Sequence, residues 1–504
     1  MRRNARRTRA QTAQRPRELE FEVASGREGD SILARLYYER LSDESTGYLD
    51  IESSRRRAHT AMILVFEGGP LVTDSGGVDF DRIREVVAGR LGELPRLRGK
   101  LRRVPMDGHP VWVDDQEFNL DHHLRHSSLP QPGDHEQLCR TASRITATRL
   151  DRSRPLWDCW VLEGLAGGRF SLILKMHKAL ANLEGADLLR AILSENEEAV
   201  TAGGSRFTAR PAPSPVELFM MEVIRNWSPS RRAVAVGAGM LQPGRASREL
   251  RNQAREMLRV MGYKLRPASE SPFDGHLGPH RAFSIQEVDL EAVQKMRKAF
   301  GGTVHDGVLT ILSGALRRFM EQRHVSPTTV DLRALTPVLE GDGQEAHPWV
   351  IELPIWEESV IDRHELVCDQ TRRIRRESDV ASGEVLSAGS EWNASRLFLI
   401  GARALKGVET GQLSVLQSPG PQKPLFLDGS RLVGCYGILP LQDSSGLGIT
   451  VVSYGGSLFF ACNADPDLVP DFRRLRDALD SEVADILRVL AEQGPTLRAV
   501  GDAH

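Results

Sequence analysis

The residues best placed to do chemistry in this sequence are His177 and Lys178. They follow Phe170-Ser-Leu-Ile-Leu-Lys-Met, with its apolar run Leu172 to Leu174, and precede Ala-Leu-Ala-Asn182-Leu183-Glu-Gly-Ala-Asp187. Leu172 to Leu174 suits a strand buried on both faces. Leu188, Leu189, Ile192 and Leu193 fall on one stripe of a following helix. A strand edge next to a helix start is where α/β proteins commonly hold reactive groups, because the scaffold is rigid and the edge open. Histidine suits proton removal from a hydroxyl, since it titrates close to neutral pH. Lysine does not unless its surroundings change it. With an ordinary pKa of about 10.4, about one ammonium in 2,500 is deprotonated at pH 7. Neutrality requires a lowering of roughly 3 units, or about 4–5 kcal/mol of destabilised charge. Apolar burial can supply that and a nearby phosphate opposes it, so the arithmetic favours a cation at Lys178 over a base.

Other histidines offer less. His122, His123 and His126 form a tempting cluster, but no carboxylate lies at ligand spacing, so no metal site is expected. None of the fourteen histidines begins a His-x-x-x-Asp. His177 adjoins Lys178 on an extended segment, where neighbouring side chains point to opposite sides, and a hydrogen-bonded structural role suits it best. His305, beside Asp306, is the other candidate for a substitute base if it faces a channel, although a structural role suits it better.

The whole chain bounds these readings. Its 504 residues are too many for one core and suggest two domains. A net charge of −2 implies no globally basic surface, so nucleic acid is not an expected partner. The cysteines Cys139, Cys159, Cys368, Cys435 and Cys462 are odd in number, scattered and in no CxxC spacing, which fits a reducing cytoplasm. No apolar run reaches the length of a membrane helix. Met1 to Arg17 carries seven arginines and no acid. It reads as a disordered basic tail, with attraction to anionic lipid as its functional alternative.

In chain order, His59 to Phe66 reads as a strand, and a helix starts at Asp79 with Phe80, Ile83, Val87 and Leu91 at helical spacing. Gly203 to Pro215 is linker-like, with helices expected at Val216–Trp227 and Arg248–Leu265. Phe472, Leu475, Leu479, Val483, Ile486, Leu487 and Leu490 share one face of a closing helix. The boundaries expected are a disordered Arg-rich tail over 1–27, a first domain over 28–202, a crossover over 203–280, a second domain over 281–494 and a tail over 495–504.

Several short elements then appear in a telling order. His177-Lys178-x-x-x-Asn182-Leu183 resembles an HHxxxDG motif with substitutions. Pro155-Leu156-Trp157 and Gly164 resemble a PLWxxxxxxG element, and Pro95-Arg-Leu-Arg98 a Pro-Arg-x-Arg element. His305-Asp306 stands where an Asn-Asp motif would, Gln344 and Gln417 where asparagines would, and Gly448 in a Leu-Asn-Ile strand before Ser453-Tyr454. In this order, over about residues 28–490, the chain resembles the wax ester synthase/diacylglycerol acyltransferase family.

The resemblance implies an α/β fold of mixed sheets: two chloramphenicol-acetyltransferase-like domains with a channel between them. It implies acyl-CoA as co-substrate, no cofactor, and transfer of a fatty acyl group to diacylglycerol or a long-chain alcohol. The site positions it carries over are Lys178 in the place of the family base, with His177 and Asn182. Supporting or channel positions are His305, Asp306, Gln417, Pro155 and Trp157, of which Pro155 and Trp157 read mainly as anchors of a strand. It also implies a cytoplasmic protein with possible peripheral contact at the inner membrane or lipid bodies. Packing elements stay readable while polar positions have changed. That pattern fits an impaired acyltransferase, and it equally fits an inactive relative that binds acyl-CoA, neutral lipid or a partner acyltransferase. A peptide-bond-forming condensation domain shares the motif, but the PLW element and the Ser-Tyr strand argue against it.

Overall fold

The computed structural model describes residues 37–180, 192–197, 208–227, 271–338, 347–385, 413–441 and 445–492, apart from single residues at 54, 75, 107 and 422. The expectations at Asn182, at Leu188 and Leu189, at Arg248–Leu265 and at Gln344 lie outside these residues. The first half contributes β1 (Glu39–Arg40), α1 (Asp43–Ile51), β2 (His59–Phe66), α2 (Phe80–Arg90), β3 (Gly99–Arg103), β4 (Pro110–Asp114), β5 (Leu124–Ser128), α3 (His135–Ala147), β6 (Trp157–Leu165) and β7 (Arg169–His177). The helix α4 (Pro215–Trp227) follows. The second half contributes β8 (Ala282–Asp289), α5 (Leu290–Phe300), α6 (Val304–Gln322), β9 (Arg333–Val338), β10 (His347–Glu352), α7 (Val360–Val385), β11 (Leu413–Pro419), β12 (Phe426–Leu427), β13 (Ser430–Ile438), β14 (Leu447–Tyr454), β15 (Ser457–Ala464) and α8 (Arg474–Glu492).

Two six-stranded mixed sheets organise these elements, with strand orders β12-β13-β2-β7-β6-β5 and β10-β9-β11-β14-β15-β8, beside a small sheet β1-β4-β3. The strand expected from His59 to Phe66 has those ends. Asp79 caps α2 by accepting a hydrogen bond from Arg82 N–H, which fixes where that helix begins. The motif strand β7 is buried from Phe170 to His177, as the apolar run Leu172 to Leu174 leads one to expect, and the burial takes in Ser171 and Lys175 as well. In α8, Leu475, Leu479 and Ile486 are buried, but Leu487 is 39% exposed. It stands about 100° round the helix from Ile486 and falls off the apolar stripe.

The halves are not independent at the level of the sheets. Residues 426–438, late in the chain, supply the edge of the first sheet: β13 pairs antiparallel with β2, from Leu432↔Phe66 to Ile438↔Ala61. Tyr454 anchors the crossing segment. Its hydroxyl accepts from Leu425 N–H at 2.8 Å and donates to Leu432 O at 3.2 Å. One apolar core runs across the junction, joining Ile63, Phe66 and Leu172 to Phe283, Tyr454 and Phe459. A second core surrounds α6, whose Val308, Leu309, Ile311, Leu312, Ala315, Leu316 and Phe319 are all fully buried.

A close helix contact explains one glycine. A methyl group at Gly314 of α6 would sit 2.1–2.4 Å from the Glu482 carboxylate of α8. That carboxylate is buried between Arg363 and Arg318. Displacing one partner of a buried charge pair is costly. Gly314→Ala is therefore expected to lower stability by about 2–4 kcal/mol, read as a fall in the denaturation midpoint. An unchanged midpoint would show that α8 yields without cost.

Candidate active site at the end of the motif strand

His177 is the last residue of β7 and lies directly opposite His59, the first residue of β2. The ladder thus sets the two rings side by side, 5.5 Å between centroids and edge to face. Glu52, immediately after α1, reaches both. Its Oε1 is 2.9 Å from His59 Nε2, and its Oε2 is 3.8 Å from His177 Nε2. Arg152 closes the carboxylate from the other side at 2.7 Å. Glu52, His59 and His177 are almost fully buried at their side chains. The sequence reading did not single out Glu52, Arg152 or His59 as site residues. Only the expected start of a strand at His59 pointed that way.

Glu52, His59 and His177 form the one group among the described residues whose ligand atoms come close enough for a metal ion. The hydrogen bonding argues otherwise. Ala179 N–H donates to His177 Nδ1 at 2.9 Å. The lone pair is then on Nδ1, and a neutral ring must carry its proton on Nε2. Nε2 is a donor facing a carboxylate, not a ligand. Arg152 beside Glu52 further disfavours a second cation. Burial, reinforced by His59, pushes the His177 pKa down to about 3 despite Glu52. Burial raises the Glu52 carboxyl, but its contacts with His59 and Arg152 outweigh that and hold it at about 2.

Lys178 opens a single 3-10 turn, Lys178–Leu180. Its N–H donates to Ala58 O at 2.7 Å, and its Nζ stands 4.9 Å from the centre of the Tyr48 ring of α1. The negative face of an aromatic ring attracts an ammonium, so this contact favours the charged form. Pro155 and Trp157 are buried beside this strand end. Trp157 Nε1–H donates to Leu97 O at 2.6 Å, and its ring stacks on His123 at 4.7 Å. His123 in turn donates from Nδ1 to Trp157 O at 2.8 Å. Of the other clustered histidines, His126 pairs with Glu163 at 3.0 Å and His122 lines a cavity of about 130 Å³ with Arg125, Arg149, Arg154 and Lys175.

The second-half positions lie around the start of α6. Asp306 is consumed by structure: Oδ2 accepts from Thr303 N–H and Oγ1–H, and Oδ1 from the Thr371 hydroxyl. His305, one residue earlier, contacts Gln417 of β11, with Nδ1 2.8 Å from Oε1. Burial lowers its pKa against the opposing effects of Gln417 and Asp306. At Gly448 of β14, a Cβ would meet Leu441 Cδ2 at 3.2 Å, so a leucine occupies the space beside this strand.

Comparison with known proteins places this geometry in context. Residues 41–308 match the model for the wax ester synthase/diacylglycerol acyltransferase catalytic domain, and residues 350–486 match the model for its C-terminal domain. A Mycobacterium tuberculosis H37Rv protein bearing the name diacylglycerol O-acyltransferase is 28% identical over 474 residues, covering 90% of this chain and 91% of its own. A second from the same strain is 26% identical over 478 residues, covering 91% and 98%. Among solved structures, the wax ester synthase/diacylglycerol acyltransferase of Marinobacter aquaeolei VT8 aligns with a TM-score of 0.63 at 20% identity, covering 90% of this chain and 100% of that one. The first condensation domain of the calcium-dependent antibiotic synthetase aligns at 0.53 and 15% identity over 92% and 99%. At such identities the structural likeness is one of fold.

The buried cluster has a consequence for pH. His177 has a folded pKa below its ordinary value, so between about pH 6.5 and 3 the unfolded chain binds the proton and the folded one does not. Stability is therefore lost as pH falls through that range, and Glu52 adds a further loss from about 4.5 towards 2. Between pH 7 and 5, His177→Asn is expected to remove roughly 1–2 kcal/mol of the wild-type decline, measured by denaturation at the two pH values. Parallel declines in both proteins would contradict a neutral His177.

Proposed function

We propose that this chain, which belongs to the wax ester synthase/diacylglycerol acyltransferase family, is an acyl-CoA-dependent O-acyltransferase with an impaired motif site. It transfers a fatty acyl group to diacylglycerol or to a long-chain alcohol. The observation that carries this reading is the match to both family domains along one chain, on a two-sheet fold whose motif strand ends at His177 and Lys178. The curated relatives' names give the reaction class, and no helix among the described residues is long and apolar enough to cross a membrane. Acceptors of this class dissolve in lipid, so the reading includes peripheral contact with a membrane or lipid body, to which the arginines of residues 1–17 add attraction.

The chemistry requires a proton acceptor for a poor nucleophile. Lys178 stands in that place with its ammonium over Tyr48. His177 cannot step in, because its lone pair is engaged by Ala179 N–H and its other nitrogen carries the proton. These two facts support slow turnover. They also favour the second reading, a non-catalytic member that holds acyl-CoA or neutral lipid or pairs with an active acyltransferase.

Purified protein with palmitoyl-CoA and diolein or hexadecanol is expected to release thiol slowly, and Lys178→His with Asn182→Asp to raise the rate by roughly 10-fold or more. Wild-type rates equal to those of an ordinary family member would contradict the impaired site. Binding of palmitoyl-CoA with no transfer in either protein would establish the second reading.

A further inference from the structure

A buried polar corner lies where the first turn of α6 meets the end of β11. Gln417 is two residues from the carboxyl end of β11, which runs parallel to β9 and β14. In sheets with parallel strands, the crevice beyond such ends is where ligands commonly sit. His305 Nδ1 lies 2.8 Å from Gln417 Oε1. An amide oxygen only accepts, so Nδ1 must carry the proton and the lone pair is left on Nε2. His305 Nε2 is buried and has no hydrogen-bond partner among the described residues. Two more buried polar atoms lack partners among the described residues, Trp349 Nε1 and Thr336 Oγ1, on residues that face one another across β10 and β9. Arg375 of α7 joins the corner, with its guanidinium 5.8 Å from the Trp349 ring centre and 3.4 Å from Thr303 Oγ1. Unpaired buried polar groups are costly, and an imidazole nitrogen left in that state suits a place that another molecule's polar atoms complete.

We propose that His305 Nε2 is the proton acceptor for acyl transfer in this chain and that Gln417 is its positioning residue. The proposal rests on the O-acyltransferase reading. His305 is the mirror case of His177. There the hydrogen bond leaves a donor on Nε2, and here it leaves a base. In the transfer, the acceptor hydroxyl gives its proton to His305 Nε2 while its oxygen forms a bond to the thioester carbonyl carbon. The tetrahedral intermediate collapses with cleavage of the carbon–sulfur bond, and the imidazolium returns the proton to the departing thiolate. The products are an ester and CoA thiol. The charged groups facing the ring are Asp306 on its own helix and Arg375 from α7, and they act in opposite directions.

The test uses the full chain with palmitoyl-CoA and hexadecanol. His305→Ala is expected to lower kcat by about 100-fold or more, with KM for palmitoyl-CoA little changed and with partial rescue by added imidazole. Gln417→Ala is expected to cost roughly 10-fold in kcat and to move the acid limb of the pH–rate profile, which lies below pH 6.5 in the wild type. His305→Asn keeps a polar side chain towards Gln417 and guards against loss of folding, which circular dichroism checks. Folded His305 variants that transfer at the wild-type rate, or that imidazole does not rescue, would overturn the assignment and leave the acyltransferase reading standing. A wild-type protein that transfers nothing would overturn both.

Discussion

One hydrogen bond, from Ala179 N–H to His177 Nδ1, decides the chemistry at the end of the motif strand. It fixes the tautomer, turns Nε2–H towards Glu52 and ties the ring to the 3-10 turn in which Lys178 sits. Glu52 in turn faces His59 and Arg152, so the strand end is tied to α1, to β2 and to the segment before β6. With Nδ1 taken by Ala179 N–H and the proton left on Nε2, His177 supports the position next to it and cannot take over its work. A lysine in that next position has its ammonium against the face of Tyr48, where charge is favoured and loss of a proton is not.

The second constraint is the crossing of β13 into the first sheet. Residues 426–438 are separated from β2 by more than 350 positions in sequence, yet they form its neighbouring strand. The Tyr454 hydroxyl holds the entry to that strand, and a shared apolar core lies beneath it. The two sheets therefore act as one scaffold, and the chemistry of one can be affected by residues of the other. A substituted motif strand in the first half and an oriented imidazole in the second are compatible with a single site on such a scaffold.

Much of this was legible in the residues themselves. The limits of β2, the capped start of α2 and the burial of β7 follow from apolar periodicity and one aspartate, and the family followed from the order of short elements. The partners were not legible. Glu52 and His59 are seven residues apart in sequence, and their meeting with His177 depends on the register of β2 against β7. Gln417 and His305 are 112 residues apart, and their hydrogen bond depends on how α6 lies on the sheet. Asp306 read as a channel residue, but among the described residues its carboxylate is hydrogen-bonded to Thr303 and Thr371. Periodicity specifies which face a side chain occupies, and it does not specify which distant side chain meets it there.

The central claim is that the family scaffold persists here while the amine at position 178 takes no proton. The most direct test is the rate of acyl transfer from palmitoyl-CoA to hexadecanol by Lys178→Ala, followed from pH 6 to 9. The account expects a rate within about threefold of the wild type, with the same pH dependence. Loss of transfer in Lys178→Ala, together with a wild-type rate that climbs between pH 7 and 8, would contradict it.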